Sequence, residues 1–422
     1  MSLSNRRVLY VSYNGMLDAL GQSQVIPYLK ELSHAGIRFT LLSFERSHAY
    51  TKEGVEQCST LQRELAKSEI DWHWLPYHKT PSLPATCYDV WTGTRYASRL
   101  ARRKEIEMVH ARSHIPAAIA LRLKRRLGLK MIFDVRGLMA EEYADAGHWR
   151  KDSMPYRITK AVEGRALAAA DGVVTLTERI WPVINQWDSL RDRKVAHEVV
   201  PCCADLELFS FSQEDRARRR HELALEDRFV VVYSGSIDGW YLTENMADFF
   251  VTMRKQKPNA HFLWLTPTRH ERVHDLMRAR GLGESDYTVL ASTPRDMPSY
   301  LSAGDAGLAF IKPCFSKLAS SPTKYAEYLG CGLPLIINQG VGDSDVLITR
   351  EKVGALVRDF DEAEYAGASA AVADLAGHPE QTRRRAREVA ERLFDVRRTG
   401  AERYVRLYQK VLDNAEVSAG RQ

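Results

Sequence analysis

Short apolar runs alternate with amphipathic segments from one end of the chain to the other, and they do so in two series. The first contains Val8-Leu9-Tyr10-Val11-Ser12, an amphipathic stretch over about 22–35, Phe39-Thr40-Leu41-Leu42-Ser43, Met108-Val109-His110, Met131-Ile132-Phe133-Asp134, Val173-Val174-Thr175-Leu176 and Val199-Val200-Pro201. The second opens on Phe229-Val230-Val231-Val232-Tyr233 and continues through His261–Leu265, Tyr287–Leu290, Ala306–Ile311, Leu335–Asn338 and Gly354–Val357, with helical pattern to about residue 414. Continuous apolar runs separated by amphipathic helices predict parallel sheets covered on both faces, so the fold class is α/β with two doubly wound, Rossmann-like halves. The joint is expected near Cys202 to Phe211, giving domains 1–205 and 206–396. Ligands of such sheets bind at the strand carboxyl ends, so an active site is expected in a cleft between the two halves.

The stretch Ser320-Ser-Pro-Thr-Lys-Tyr-Ala-Glu-Tyr-Leu-Gly-Cys-Gly-Leu-Pro334 carries the most chemistry. Ser321 and Thr323 flank a proline that suits a helix start, Lys324 falls in the first turn and Glu327 one turn later. A helix N-terminus offers unpaired N–H groups and a positive dipole end to phosphate oxygens, Lys324 adds charge, and Glu327 can accept hydrogen bonds from a ribose diol. An ordinary capped helix between two strands is the plainer reading of the segment alone. Its neighbours add to it. Tyr233-Ser-Gly-Ser-Ile-Asp-Gly-Trp240 follows a strand, and Gly235 and Ser236 would let the backbone approach a pyrophosphate. Lys312 is a further cation, or a surface lysine, at the end of Ala309–Lys312.

In the first half, Tyr13–Gln24 holds Gly21 and Gln22 at a strand-to-helix turn, but without Gly-x-Gly-x-x-Gly or Gly-Lys-Ser/Thr, so neither a dinucleotide nor a P-loop site is indicated. His110, Arg112 and His114 follow one strand; Asp134 and Arg136 follow another, with Glu142 nearby. Arginines and carboxylates at a sheet mouth suit a hydroxyl-bearing or anionic acceptor. For His110 a structural role is the better reading.

At 422 residues the chain exceeds one core, and 45% hydrophobic with 27% charged residues is the balance of a soluble protein. No apolar run is long enough to span a bilayer and no signal core opens the chain, so a cytoplasmic location is expected. The six cysteines lack zinc-ligand spacing and no Asp-x-Asp strand end appears, so the expectation is no metal and no cofactor. A net charge of +6 does not call for nucleic acid. Arg102-Arg103-Lys104 and Arg122, Lys124-Arg125-Arg126, Lys130 form basic patches that suit peripheral contact with anionic membrane headgroups or a phosphorylated acceptor, although solvated helix faces are the plainer reading.

Ser321–Pro334, Leu20-Gly-Gln-Ser-Gln24, Val200-Pro-Cys-Cys-Ala-Asp205 and Tyr233–Ser236 together resemble the retaining nucleotide-sugar glycosyltransferases of family 4, the glycosyl transferases group 1. The resemblance implies a GT-B fold of two facing Rossmann-like domains, with residues 397–422 forming a helix that returns to the first. It implies transfer of a sugar from a nucleoside diphosphate donor, the co-substrate, to a hydroxyl of a glycan, a lipid-linked or a small-molecule acceptor, with retention of configuration. On this reading the donor is held by Gly21, Gln22, Gly235, Ser236, Lys312, Ser321, Thr323, Lys324 and Glu327. The acceptor meets Asp134, Arg136 and Glu142, and Arg112, His114, Lys324 and Glu327 serve catalysis. Relatives often carry a second glutamate eight positions ahead of the first, where this chain has Ala319, and basic residues after the first strand of the second domain, where Ser236–Trp240 has none. Arg112 stands where a histidine is common. A sugar-nucleotide epimerase of the same fold, or a sugar-nucleotide-binding protein without turnover, are the alternatives.

Overall fold

The computed structural model describes residues 3–419. The chain divides into two compact units, Met1–Pro201 with Val396–Gln422, and Cys202–Asp395. The divisions fall just ahead of the expected 205 and 396 because the Ala204 amide donates to the Phe394 carbonyl at 2.9 Å and Ala204 bridges Asp395, tying 202–205 to the second unit.

The first unit is built on strands β1 (Arg7–Ser12), β2 (Arg38–Glu45), β3 (Ile70–Pro76), β4 (Met108–Arg112), β5 (Lys130–Asp134), β6 (Gly172–Thr175) and β7 (Ala196–Val199), all parallel in the order β3-β2-β1-β4-β5-β6-β7. Val8, Leu9 and Val11 of β1 are fully buried, as expected of a central strand covered on both faces. β3 is a strand that the apolar pattern did not predict. It is an edge strand, Ile-Asp-Trp-His-Trp-Leu-Pro, with polar residues between its aromatics and only Ile70 and Trp72 buried. The stretch expected as one helix over 22–35 is two, Ala19–Gln24 and Ile26–His34. Pro27 has no N–H to offer the Ser23 carbonyl, so the helical ladder breaks at Val25.

The last helix, Glu402–Ala419, belongs to this unit. Its Leu407, Tyr408 and Val411 are buried, and a Cβ on Gly172 of β6 would stand 2.8 Å from Val411 Cγ2. Glycine at that position lets the helix lie directly on the sheet.

The second unit carries β8 (Phe229–Ser234), β9 (Ala260–Leu265), β10 (Tyr287–Leu290), β11 (Ala306–Ala309), β12 (Leu335–Asn338) and β13 (Gly354–Val357), parallel in the order β10-β9-β8-β11-β12-β13. The order runs outward from β8 on one side and from β11 on the other, so the loops after β8 and β11 flank a topological switch point. The apolar run through Ile311 leaves the ladder at Ala309 because the Asn338 side chain takes both backbone groups of Ile311, accepting from its N–H at 2.8 Å and donating to its carbonyl at 2.9 Å. Among the described residues no helix is long and apolar enough to cross a membrane.

Candidate active site

In the second unit the switch point is walled by three pieces of chain. The loop after β8 is stitched to the loop after β11 by Leu242 N–H to Phe310 O at 3.0 Å and Lys312 N–H to Trp240 O at 2.9 Å. The third piece is the helix Thr323–Gly330, whose first turn no side chain caps. It is seated by Tyr328, whose ring lies against Gly307 of β11, where a Cβ would stand 2.2 Å from the ring, and whose hydroxyl accepts from the Ser234 amide at 2.7 Å.

That seating carries Lys324 into the corner. Its side chain is buried, and its Nζ lies 4.4 Å from the ring centre of Tyr233 and 3.7 Å from that of Tyr241, with no hydrogen-bond partner among the described residues. Gly235 closes the opposite side at φ +123°, where a Cβ would stand 3.2 Å from Nζ. Glycine is required there twice over, by the dihedral and by the space. Cation–π contact compensates part of the lost hydration, but an unpaired buried ammonium remains costly. Burial accordingly pushes Lys324 down from 10.5 to about 7, against the pull of the Glu327 carboxylate, and burial pushes half-buried Glu327 up from 4.5 to about 7, against the pull of Lys324. Near neutral pH both groups stand at their titration edge, so a bound anion or diol decides their charge.

Gly235, Lys324 and Glu327, three of the residues expected to hold a donor, thus converge. Others are placed differently. The Ser236 carbonyl accepts from the Tyr233 hydroxyl. Lys312 is exposed at the loop edge. The Ser321 hydroxyl accepts from the Cys202 amide at 3.1 Å, so it anchors the chain instead of facing the corner, and Thr323 opens the helix. Sequence reasoning missed Tyr233 and Tyr241, which make the cation's walls, and Lys317, stacked 3.8 Å from the Trp240 ring. The glycine inside strand β11 was the available signal for a close approach.

In the first unit the loop after β1 folds around a carboxylate that sequence reasoning also passed over. Glu45 is fully buried and accepts from the Met16 amide and the Ser43 hydroxyl, both at 2.6 Å. Gly21 packs on the same loop, where a Cβ would stand 2.2 Å from the Gly15 carbonyl oxygen, and the Gln22 side chain donates to the Met16 carbonyl at 2.7 Å. Both residues serve the loop's own geometry. Arg112, at the end of β4 beside Ser12, is buried and donates to Asn14 Oδ1 at 3.2 Å, while its Nε has no partner. It keeps a donor to offer a ligand.

Two expected site residues are corrected. His114 is buried within the helical layer, with Nε2 2.9 Å from Glu163 Oε2 and its ring edge-on to Phe133, so it joins two helices and presents nothing to a substrate. Asp134 is likewise fully buried, accepting from the Tyr404 hydroxyl at 2.7 Å below His110, whose Nδ1 is 2.6 Å from the Tyr408 hydroxyl. These bonds fasten the last helix to the sheet. Arg136, at φ +55°, donates to Gln24 Oε1 at 3.3 Å, and Glu142 lies against Gly137.

Residues 25–181 match the model of the glycosyl transferase 4-like domain. No curated protein matches the chain by sequence. Among solved structures, sucrose-phosphate synthase from Thermosynechococcus elongatus superposes with a TM-score of 0.73 at 16% identity, covering 97% of this chain and 100% of its own. Anabaena HepE in complex with UDP-glucose gives 0.68 at 14% identity over 97% and 99% of the two chains. WaaG, a glycosyltransferase involved in lipopolysaccharide biosynthesis, gives 0.66 at 13% identity over 94% and 98%. The matched segment lies in the first unit, and the two parallel Rossmann-like sheets give the chain the GT-B fold that these neighbours share.

Proposed function

We propose that this glycosyltransferase takes its sugar from a nucleoside diphosphate donor held by the second unit and delivers it to a hydroxyl of a glycan, glycolipid or small-molecule acceptor with retention of configuration, without a metal. The observation that carries the donor assignment is Lys324, a buried cation with no partner, set at the carboxyl end of β8 beside a glycine that leaves room for backbone approach. A diphosphate satisfies it. The uncapped N–H groups of the Thr323–Gly330 helix and the Lys324 ammonium would face the phosphate oxygens, and Glu327, one turn on, would accept from the ribose diol. HepE, of the same fold, is seen with UDP-glucose.

In the reaction the bond from the anomeric carbon to the diphosphate oxygen breaks and a bond from the acceptor oxygen forms on the same face. The acceptor proton leaves on the departing diphosphate. Charge accumulates on that leaving group, and donors already aimed at it lower the barrier by about 3–4 kcal/mol each.

A screen of UDP-, GDP-, ADP- and dTDP-sugars by thermal shift, followed by release of the nucleoside diphosphate, tests this reading. At least one donor should stabilise the protein, and Lys324→Met should strongly reduce that stabilisation at the same donor concentration while the apo protein stays folded. Stabilisation by none of the four, or undiminished stabilisation of Lys324→Met, would overturn the donor site.

A further inference from the structure

A second arrangement of polar groups lies at the carboxyl ends of β1 and β3 in the first unit, next to Glu45, whose carbonyl accepts from the Tyr77 amide at 2.8 Å. Asp89, in the helix Ser82–Arg103, is fully buried, yet among the described residues it has no arginine or lysine partner. Three donors converge on its carboxylate: the Tyr13 hydroxyl at 2.7 Å, the His78 amide at 3.1 Å and His78 Nδ1 at 2.5 Å. Burial and the adjacent Asp89 push the Tyr13 phenol up, so it remains a donor. An ionised carboxylate only accepts, so Nδ1 carries the hydrogen and the ring orientation is fixed. The imidazole itself is 43% exposed, and Nε2 makes no hydrogen bond among the described residues. A buried carboxylate that holds an exposed imidazole in one orientation is how a polar group is prepared for a ligand.

The surroundings suit one ligand class. His78 meets Tyr88 edge-on at 5.3 Å, and Tyr88 stands 6.1 Å from Trp91 on the outer face of the same helix. Tyr88 and Trp91 are 52% and 55% exposed, which is unusual for two neighbouring large aromatics. Tyr77 packs edge-on against Tyr13, with ring centres 5.2 Å apart. Flat aromatic faces beside a fixed hydrogen-bonding nitrogen match a pyranose ring, which has an apolar C–H face and a rim of hydroxyls.

We propose that His78, oriented by Asp89, and the Tyr88–Trp91 face form a binding site for a sugar ring of the acceptor, with His78 Nε2 positioning one of its hydroxyls. This rests on the glycosyl-transfer reading above and narrows the acceptor to a carbohydrate-bearing one. His78 acts here as a positioning residue through a hydrogen bond.

The test is a titration of the full chain, labelled with 13C-histidine, with the methyl α- and β-pyranosides of glucose, galactose and mannose. The His78 resonance is assigned by its loss in His78→Gln. At least one glycoside should shift that resonance saturably, and Tyr88→Ala, a surface change, should weaken the binding about tenfold. Asp89→Asn, which frees the ring, should weaken it as well, with the retained fold read from the other histidine resonances. No shift with any of the six glycosides, or a shift that survives Tyr88→Ala unchanged, would overturn the proposal. So would movement of the His78 signal on adding anionic phospholipid vesicles but not the glycosides, which would make the aromatic face a membrane contact. Parallel thermal shifts with UDP separate the two readings: if UDP binds and the glycosides do not, this inference fails alone; if UDP, GDP, ADP and dTDP all fail, the donor site fails.

Discussion

Binding of a nucleoside diphosphate should draw a proton into the second unit. With Lys324 at about 7, a solution at pH 8 leaves roughly a tenth of these side chains protonated in the empty site. A diphosphate in contact with Nζ favours the charged form and returns it toward its ordinary value, so nearly one proton is taken up per nucleotide bound. Glu327, already mostly ionised at pH 8, adds a small uptake of the same sign as the incoming charge raises it further. Calorimetric titration with UDP at pH 8 in buffers of different ionisation enthalpy reads the number directly, as the slope of the observed heat. A slope near one is expected, falling close to zero in Lys324→Met, where binding is measured at higher nucleotide concentration. A slope near zero in the wild type, or one that Lys324→Met leaves unchanged, would refute the reasoning.

The same pair fixes a stability signature for the empty protein. The fall of Lys324 from 10.5 to about 7 corresponds to about 5 kcal/mol against holding the cation in this corner, an upper figure that Lys324→Met would recover in part. Because the folded value is depressed, the unfolded chain binds more protons between about 7 and 10.5, and stability rises with pH across that window. Glu327 runs the other way: its folded value is raised, the folded chain binds more protons between 4.5 and about 7, and stability falls as pH rises there. The pair therefore costs the apo protein most near pH 7. Urea midpoints at pH 5, 7 and 9 should show Lys324→Met gaining about equally over wild type at pH 5 and 7 and much less at pH 9, and an equal gain at all three would contradict the assignment.

Three further substitutions separate architecture from chemistry. Gly235→Ala forces a side chain into φ +123° and within 3.2 Å of Lys324 Nζ, and should cost about 1–3 kcal/mol in unfolding experiments and weaken nucleotide binding in the same protein. Tyr328→Phe leaves the buried Ser234 amide without its acceptor, which should cost about 1–3 kcal/mol, read as a lower melting temperature. His114→Ala removes the imidazole facing buried Glu163, which keeps Lys160 as a partner, and should destabilise by about 1–3 kcal/mol while nucleotide release per folded molecule holds at wild-type level; a selective loss of turnover would restore His114 to the active site.

The strands of both sheets were legible wherever burial on two faces demanded a continuous apolar run, as in Val230-Val231-Val232 or Leu335-Ile336-Ile337. β3 was not, because an edge strand needs to bury only part of one face, and Asp71, His73 and the proline at its end break the pattern. Phe310 and Ile311 look like strand in sequence but leave the ladder, since what displaces them is the amide of Asn338, remote in the chain. The candidate donor corner was legible in Gly235, Lys324 and Glu327, whose residue types already suit a phosphate and a ribose. The walls were not, because Tyr233 and Tyr241 read as ordinary apolar positions until the loop stitch brings them to Lys324.

The histidines show the same limit from the other side. His78 and His114 lie just beyond strand carboxyl ends and His110 lies two residues inside one, and the residue type is identical at each. Their roles diverge on what surrounds the ring. His110 and His114 are buried against the Tyr408 hydroxyl and Glu163, so their polar atoms are consumed by packing. His78 has one nitrogen consumed by a buried carboxylate and the other left over, on an exposed ring beside exposed aromatics. Sequence proximity to a strand end therefore marks where a ligand can come. What remains open after folding decides which side chain is left to meet it: in the second unit a buried ammonium, Lys324 Nζ, without a hydrogen-bond partner among the described residues, and in the first the exposed outer edge of the His78 ring.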